Sequence, residues 1–224
     1  MTERVATISS NDNANSNSGA GDDSCCNNAM LEQFYLHGWA VLPAFLPNRL
    51  NQQLLDEVKN YATLTSAGIG RAHAYTVNHQ IRRDKTQWFD GQSQAQQEYL
   101  QLMHKLQLQL NRQFFLGLFD FECHFARYQQ DDFYQKHVDA FKGRSNRLLT
   151  TVSYLNDVNN GGELVLYNPD DSELCRIKPL AGSLVLFESE RFAHEVLTVF
   201  DERYSIAGWF RHNNSNNGLI DPSR

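Results

Sequence analysis

With 224 residues, 41% hydrophobic and 21% charged, and a formal net charge of −6, the chain has the length and balance of one globular domain with a real core. No basic cluster exceeds the Arg82-Arg83 pair and its neighbour Lys85, so nucleic acid is not an expected partner. The most apolar early run, FYLHGWAVLPAFLP, is broken by His37, Gly38 and Pro43 and is too short to cross a bilayer.

Residues 1–29 are rich in Asn, Ser, Asp and Gly and offer little to bury, which predicts a loose or disordered tail. They lack the apolar segment of a secretory leader. The four cysteines, Cys25, Cys26, Cys123 and Cys175, form no C-x-x-C pair. Together these features predict a cytoplasmic protein with free thiols. A single domain is expected over 30–214, and a short C-terminal tail over 215–224.

Order should begin near Leu31. After Pro47, Asn48 reads as an N-cap for a helix whose Leu50, Leu54, Leu55, Val58 and Tyr61 share a face. A second helix is predicted from about Ser93 to Phe114, with Tyr99, Met103, Leu106, Leu110 and Phe114 at helical spacing and Gly117 near its end. The segment between them, GRAHAYTVNHQIRRDKTQWFDG, is polar, basic in places, and holds Trp88. From Phe121 onward come brief β-branched or aromatic runs: FECHFARYQ, RLLTTVSYLND, GELVLYN, ELCRIKP, GSLVLFES, HEVLTVF and RYSIAGWF. Turn residues at 159–162, 168–172 and 179–182 separate them. The order predicts a mostly β fold, a double-stranded β-helix or jelly roll, with the helices packed outside.

In FYQKHVDAFKG, His137 and Asp139 stand two apart and would face the same way along a strand. His194 opens a later strand that a jelly roll can bring alongside. Two imidazoles and a carboxylate on one face of an ion leave coordination positions open, the pattern of non-haem Fe(II) oxygenases. A closed zinc site would want a fourth protein ligand. Arg203, expected on the adjoining strand on the face of Ser205, Ala207 and Trp209, would need an anionic partner if buried. A dicarboxylate bound to the ion at one end and to Arg203 at the other would meet that need. Tyr154 and Tyr128 are the hydroxyls added to that pocket. The other histidines, His37, His73, His79, His104, His124 and His212, read as surface or satisfied polar residues.

HVD, the YLN strand, GGELVLYNP, HEV and RYSIAGWF, with IRRDKTQWFDG upstream, follow one family's pattern in order. Over roughly Leu31 to Phe210 the sequence resembles the 2-oxoglutarate- and Fe(II)-dependent prolyl 4-hydroxylases, and among them the hypoxia-inducible-factor prolyl hydroxylase domain. The resemblance implies Fe(II) on His137, Asp139 and His194, 2-oxoglutarate on Arg203 with Tyr154 and Tyr128, and Trp209 beside the iron. O2 would be the second cosubstrate and ascorbate an external reductant. Asp84 and Arg147 match a pair that ties a substrate-covering loop, about Ala72 to Ile81, to the core; Arg82 and Trp88 would lie near an entering peptide. A proline-containing protein, a translation component for example, is the implied substrate. The sequence departs from the family where QQDDFYQK replaces a glycine-rich stretch before the HVD triplet. Two other readings of the same residues are an iron centre acting on a free amino acid or small metabolite, and a non-catalytic module that senses 2-oxoglutarate or oxygen.

Overall fold

The computed structural model describes residues 28–62, 64–67, 78, 80–140 and 146–213. The expected tails lie outside these residues, except that Asn28 and Ala29 open a helix, and so does most of the expected loop at 72–81. Three helices and eleven strands are found among the described residues. None of the helices is long and apolar enough to cross a membrane.

Helix α1, Asn28–His37, was not expected. It buries Met30, Leu31 and Phe34, one turn apart on a single face, and stops where Gly38 takes φ +78°. A Cβ on Gly38 would meet Arg191 and Glu188 side-chain atoms at 2.6 Å, so glycine suits both the turn and the contact. Strand β1, Trp39–Leu42, follows. Helix α2, Asn48–Asn60, buries Leu50, Leu54, Leu55 and Val58. Its N-cap is Pro47 rather than Asn48, and no side chain closes the cap.

Strand β3 (Lys85–Trp88) forms within the polar segment and β2 (Thr65–Ser66) ahead of it, where no element is assigned from the sequence. Their local preference is weak, but Thr86 pairs with Ala126 on the neighbouring strand, and packing there decides the conformation. Helix α3, Gln94–Phe114, begins as predicted, with the Ser93 hydroxyl accepting from Gln96 N. It ends at Phe115 in the left-handed region, φ 54°, rather than at Gly117.

Strands β4 (Asp120–Tyr128), β5 (Tyr134–His137), β6 (Arg147–Tyr154), β7 (Leu164–Tyr167), β8 (Glu173–Ile177), β9 (Leu184–Glu188), β10 (His194–Val196) and β11 (Arg203–Arg211) complete the fold. They form a seven-stranded sheet, β1-β9-β6-β11-β4-β3-β2, and a four-stranded sheet, β5-β10-β7-β8. All pairings are antiparallel, and the chain changes sheet repeatedly, as in a jelly roll. Leu164, Leu166 and Val196 of the small sheet share a core with Val152, Tyr154, Val185 and Phe187 of the large one. On the large sheet's other face Phe125, Leu149, Leu186, Ile206 and Phe210 pack with the helices. Side chains alternate between faces along a strand, so one sheet serves two cores.

Candidate metal centre

β10 lies between β5 and β7, and His194 is the direct cross-strand partner of His137. β5 ends at this pair, so Asp139 sits in a bend beyond the strand rather than within it. That bend brings the carboxylate back toward both imidazoles. Asp139 Oδ1 is 3.6 Å from His137 Nε2, and Oδ2 is 3.5 Å from His194 Nε2. One ligand atom from each of the three residues lies within 4.8 Å of the others.

Each imidazole is oriented from behind. His137 Nδ1 is 2.8 Å from Gln135 O, and His194 Nδ1 is 3.2 Å from Phe192 O. A carbonyl only accepts, so each Nδ1 carries the proton and each Nε2 presents its lone pair to the centre. Tyr134 stacks on His137 with ring centroids 3.6 Å apart, and Phe187 meets His194 edge-on. Burial, with His137 close by, pushes the His194 pKa down to about 4. Burial would raise Asp139, but His194 and His137 outweigh it and hold its carboxyl well below the usual range. Two imidazole nitrogens and one carboxylate oxygen therefore converge. That set fits a divalent ion of the kind held by a facial triad.

Arg203 opens β11, in the large sheet, whereas β10 belongs to the small one. The two strands face each other across the roll rather than adjoining, which corrects the expected placement. The guanidinium is 1% exposed and lies over the rings of Tyr128 and Tyr154 at 4.7 and 5.1 Å. Arg203 Nε and the Tyr154 hydroxyl are buried without a hydrogen-bond partner, and no carboxylate among the described residues forms an ion pair with Arg203. Buried groups of this kind require a partner. Gly162 lines the same space: a Cβ there would come within 3.3 Å of Arg203 Cδ.

The expected tie between Asp84 and Arg147 is not formed. Asp84 instead receives two hydrogen bonds from Arg82, at 2.8 and 2.6 Å. Arg147 donates to Glu122 at 2.8 Å and stacks 3.5 Å over the ring of Trp209. The reason is strand register. Trp209 and Glu122 are cross-strand partners on β11 and β4, and the register slip after Phe210 sets Arg147 against Arg211, within reach of Glu122. Trp88, at 37% exposure, is the rim residue of this face. Between Trp88 and Trp209 lies His124, with ring centroids 5.0 and 5.5 Å away. Burial lowers its pKa to about 4.

Thr150, Ser189 and Glu122 were not singled out from the sequence. Thr150 carried a usable signal, since it stands four residues before Tyr154 on one strand and so shares its face. Ser189 and Glu122 come from strands whose register only the folded chain sets.

Residues 123–211 match the 2OG-Fe(II) oxygenase superfamily. A crystal structure of a Pseudomonas putida prolyl-4-hydroxylase is 38% identical, with a TM-score of 0.74 over 83% of this chain and 98% of that one. A Trichoplax adhaerens prolyl hydroxylase, solved with a hypoxia-inducible-factor oxygen degradation domain peptide, is 26% identical, with a TM-score of 0.71 over 82% of this chain and 88% of that one. A Caenorhabditis elegans hypoxia-inducible factor prolyl hydroxylase is 38% identical over 82 residues, 34% of this chain but only 11% of that protein's length. The chain belongs to the 2OG-Fe(II) oxygenase superfamily, whose members work with Fe(II), 2-oxoglutarate and O2. Its jelly roll is the fold of the prolyl-4-hydroxylase structures it resembles.

Proposed function

We propose that this protein is a 2-oxoglutarate-dependent dioxygenase that hydroxylates a prolyl residue of a protein partner. The observation that carries the reading is the buried Arg203, without an ion-pair partner among the described residues, placed across the roll from two histidines and an aspartate. His137, Asp139 and His194 would hold Fe(II). Arg203 would take the distal carboxylate of 2-oxoglutarate in a charge-assisted pair, joined by the Tyr154 hydroxyl. Tyr128, whose ring lies against the same guanidinium, would close the pocket's side. Bound iron and cosubstrate supply the oxidative C–H chemistry. The chain supplies orientation, charge pairing and exclusion of water. One atom of O2 enters the prolyl hydroxyl and the other enters succinate, with CO2 released.

Substrate would enter past Trp88, Trp209, Arg147 and Arg82, on the face where an aromatic pair and held guanidinium groups suit an extended peptide. The likeness to the peptide-bound Trichoplax enzyme supports this. A translation component as target, ascorbate as reductant and a cytoplasmic location belong to the same reading. Anaerobic binding of Fe(II) and 2-oxoglutarate, then O2-dependent succinate release coupled to gain of one oxygen atom on a peptidyl proline, is the test. Succinate formed with free proline or another metabolite, and never with peptide, overturns the protein-substrate part. Ligand binding without turnover overturns the enzyme. Capture on an Asp139→Ala variant, followed by mass spectrometry, identifies the target.

A further inference from the structure

Behind the aspartate lies a pair of hydroxyls that the metal reading does not use. Thr150 Oγ1 is 2.8 Å from Asp139 Oδ2, and Ser189 Oγ is 2.8 Å from Thr150 Oγ1. Thr150 is 2% and Ser189 0% exposed, so water does not compete for these bonds. The direction of the chain follows from counting protons. A carboxylate only accepts, so the single Thr150 hydroxyl proton goes to Asp139. The Ser189 proton must then go to Thr150. Each donor has one available acceptor, and the series runs one way, from Ser189 through Thr150 to Asp139.

The fold holds both hydroxyls in place. Thr150 is the cross-strand partner of Phe187, and Phe187 packs on His194, so Thr150 faces the centre. Ser189 follows Phe187 by two residues and returns to the same face. Its backbone N–H donates to Leu148 O at 3.0 Å, which extends the β6–β9 ladder one residue past the end of β9. Asp139 itself lies in a bend with no strand ladder of its own. Without Thr150 its carboxylate would be oriented by contacts with the two imidazoles alone.

We propose that Ser189 and Thr150 form a one-way hydroxyl relay that sets the orientation of Asp139 and thereby the affinity and geometry of the metal centre. Both are positioning residues. The inference rests on the metal reading above, and its test separates the two. Co(II) alone serves as probe, titrated into the full-length protein with the visible ligand-field spectrum recorded, and apo thermal stability measured in parallel. Thr150→Val keeps the shape and removes the hydroxyl. It should weaken Co(II) binding by about 10–100-fold, the usual cost of losing a partner behind a metal ligand, and alter the spectrum. Thr150→Ser should restore both, and Ser189→Ala should shift both in the direction of Thr150→Val by less. Wild-type affinity and spectrum in Thr150→Val overturn the relay while leaving the metal site standing. If Thr150→Val does not fold, unchanged affinity and spectrum in Ser189→Ala overturn it instead. Absence of Co(II) binding by the wild-type protein overturns both readings.

Discussion

Phe125 and Ala126 are neighbours on β4, yet they belong to different cores. Phe125 packs with Leu106, Leu110 and Ile206 beneath the helices. Ala126 shares the opposite face with His124, Tyr128 and, on β11, Ser205 and Arg203. The helix-covered face is mainly aliphatic and aromatic; Tyr99 meets Ser153 at 3.0 Å, while Asn51 Oδ1 and Thr151 Oγ1 are buried there without a hydrogen-bond partner. The inner face holds the buried Arg203 Nε, Tyr154 hydroxyl and Trp209 Nε1, none with a hydrogen-bond partner. What sets the inner face apart is charge: it buries the Arg203 guanidinium with no ion-pair partner among the described residues.

The sharpest way to break this contrast is Asp139→Ala. It should abolish metal binding and O2-dependent succinate release, a loss larger than the roughly 100-fold upper range for partners behind a ligand. Melting temperature of the metal-free protein should also fall at neutral pH, because a carboxyl held below its usual range stabilises the folded state there and Thr150 loses its acceptor. Titration calorimetry with Fe(II), alongside a thermal scan, reads both. Phe125→Ala probes the other face and should lower unfolding free energy by about 3–5 kcal/mol. Chemical denaturation measures it, and the fraction that stays folded should bind metal normally. Arg203→Leu removes a buried charge that has no ion-pair partner among the described residues. It should weaken 2-oxoglutarate binding by about 2–5 kcal/mol while Fe(II) affinity and folding are kept. Weak 2-oxoglutarate binding with equally weak Fe(II) binding would contradict a separate role for the arginine.

The smallest effect expected is on pH dependence. His124 is held neutral by burial, reinforced by the Arg82 charge, with its pKa near 4. The groups facing it, Trp88 and Trp209, bring no charge of their own. Since the folded pKa lies below the unfolded value near 6.5, the unfolded chain binds more protons between those limits. Stability should therefore fall as pH drops from about 6.5 toward 4. His194 shifts in the same direction, so the comparison is with His124→Phe. That variant should lose part of the acid sensitivity in denaturation curves at pH 4.5 and 7, and equal sensitivity in both proteins would assign it elsewhere.

The roll, the covering helices and the three metal residues could be read from the chain before folding. Their signals are local: period two in RYSIAGWF, period 3.6 through Tyr99, Met103, Leu106 and Leu110, and the pairing of HVD with a later histidine. Arg203 and the two tyrosines are read from strand alternation and the need of a buried guanidinium for an acid, and the resemblance to a known family adds Asp84, Arg147 and the loop. What escaped was set by register. β5 ends before Asp139 and leaves it in a bend, the slip at Phe210 sends Arg147 to Glu122, and β6–β9 pairing carried one residue past β9 brings Ser189 to Thr150. Helix α1 and strand β3 escaped for a related reason, since each is held by packing on partners far along the chain. Side-chain periodicity depends on the neighbouring few residues and is written in the sequence. Which side chains meet across a ladder depends on bulges and strand ends that form only when separated segments pair, and those meetings orient the carboxylate and leave Arg203 for a ligand.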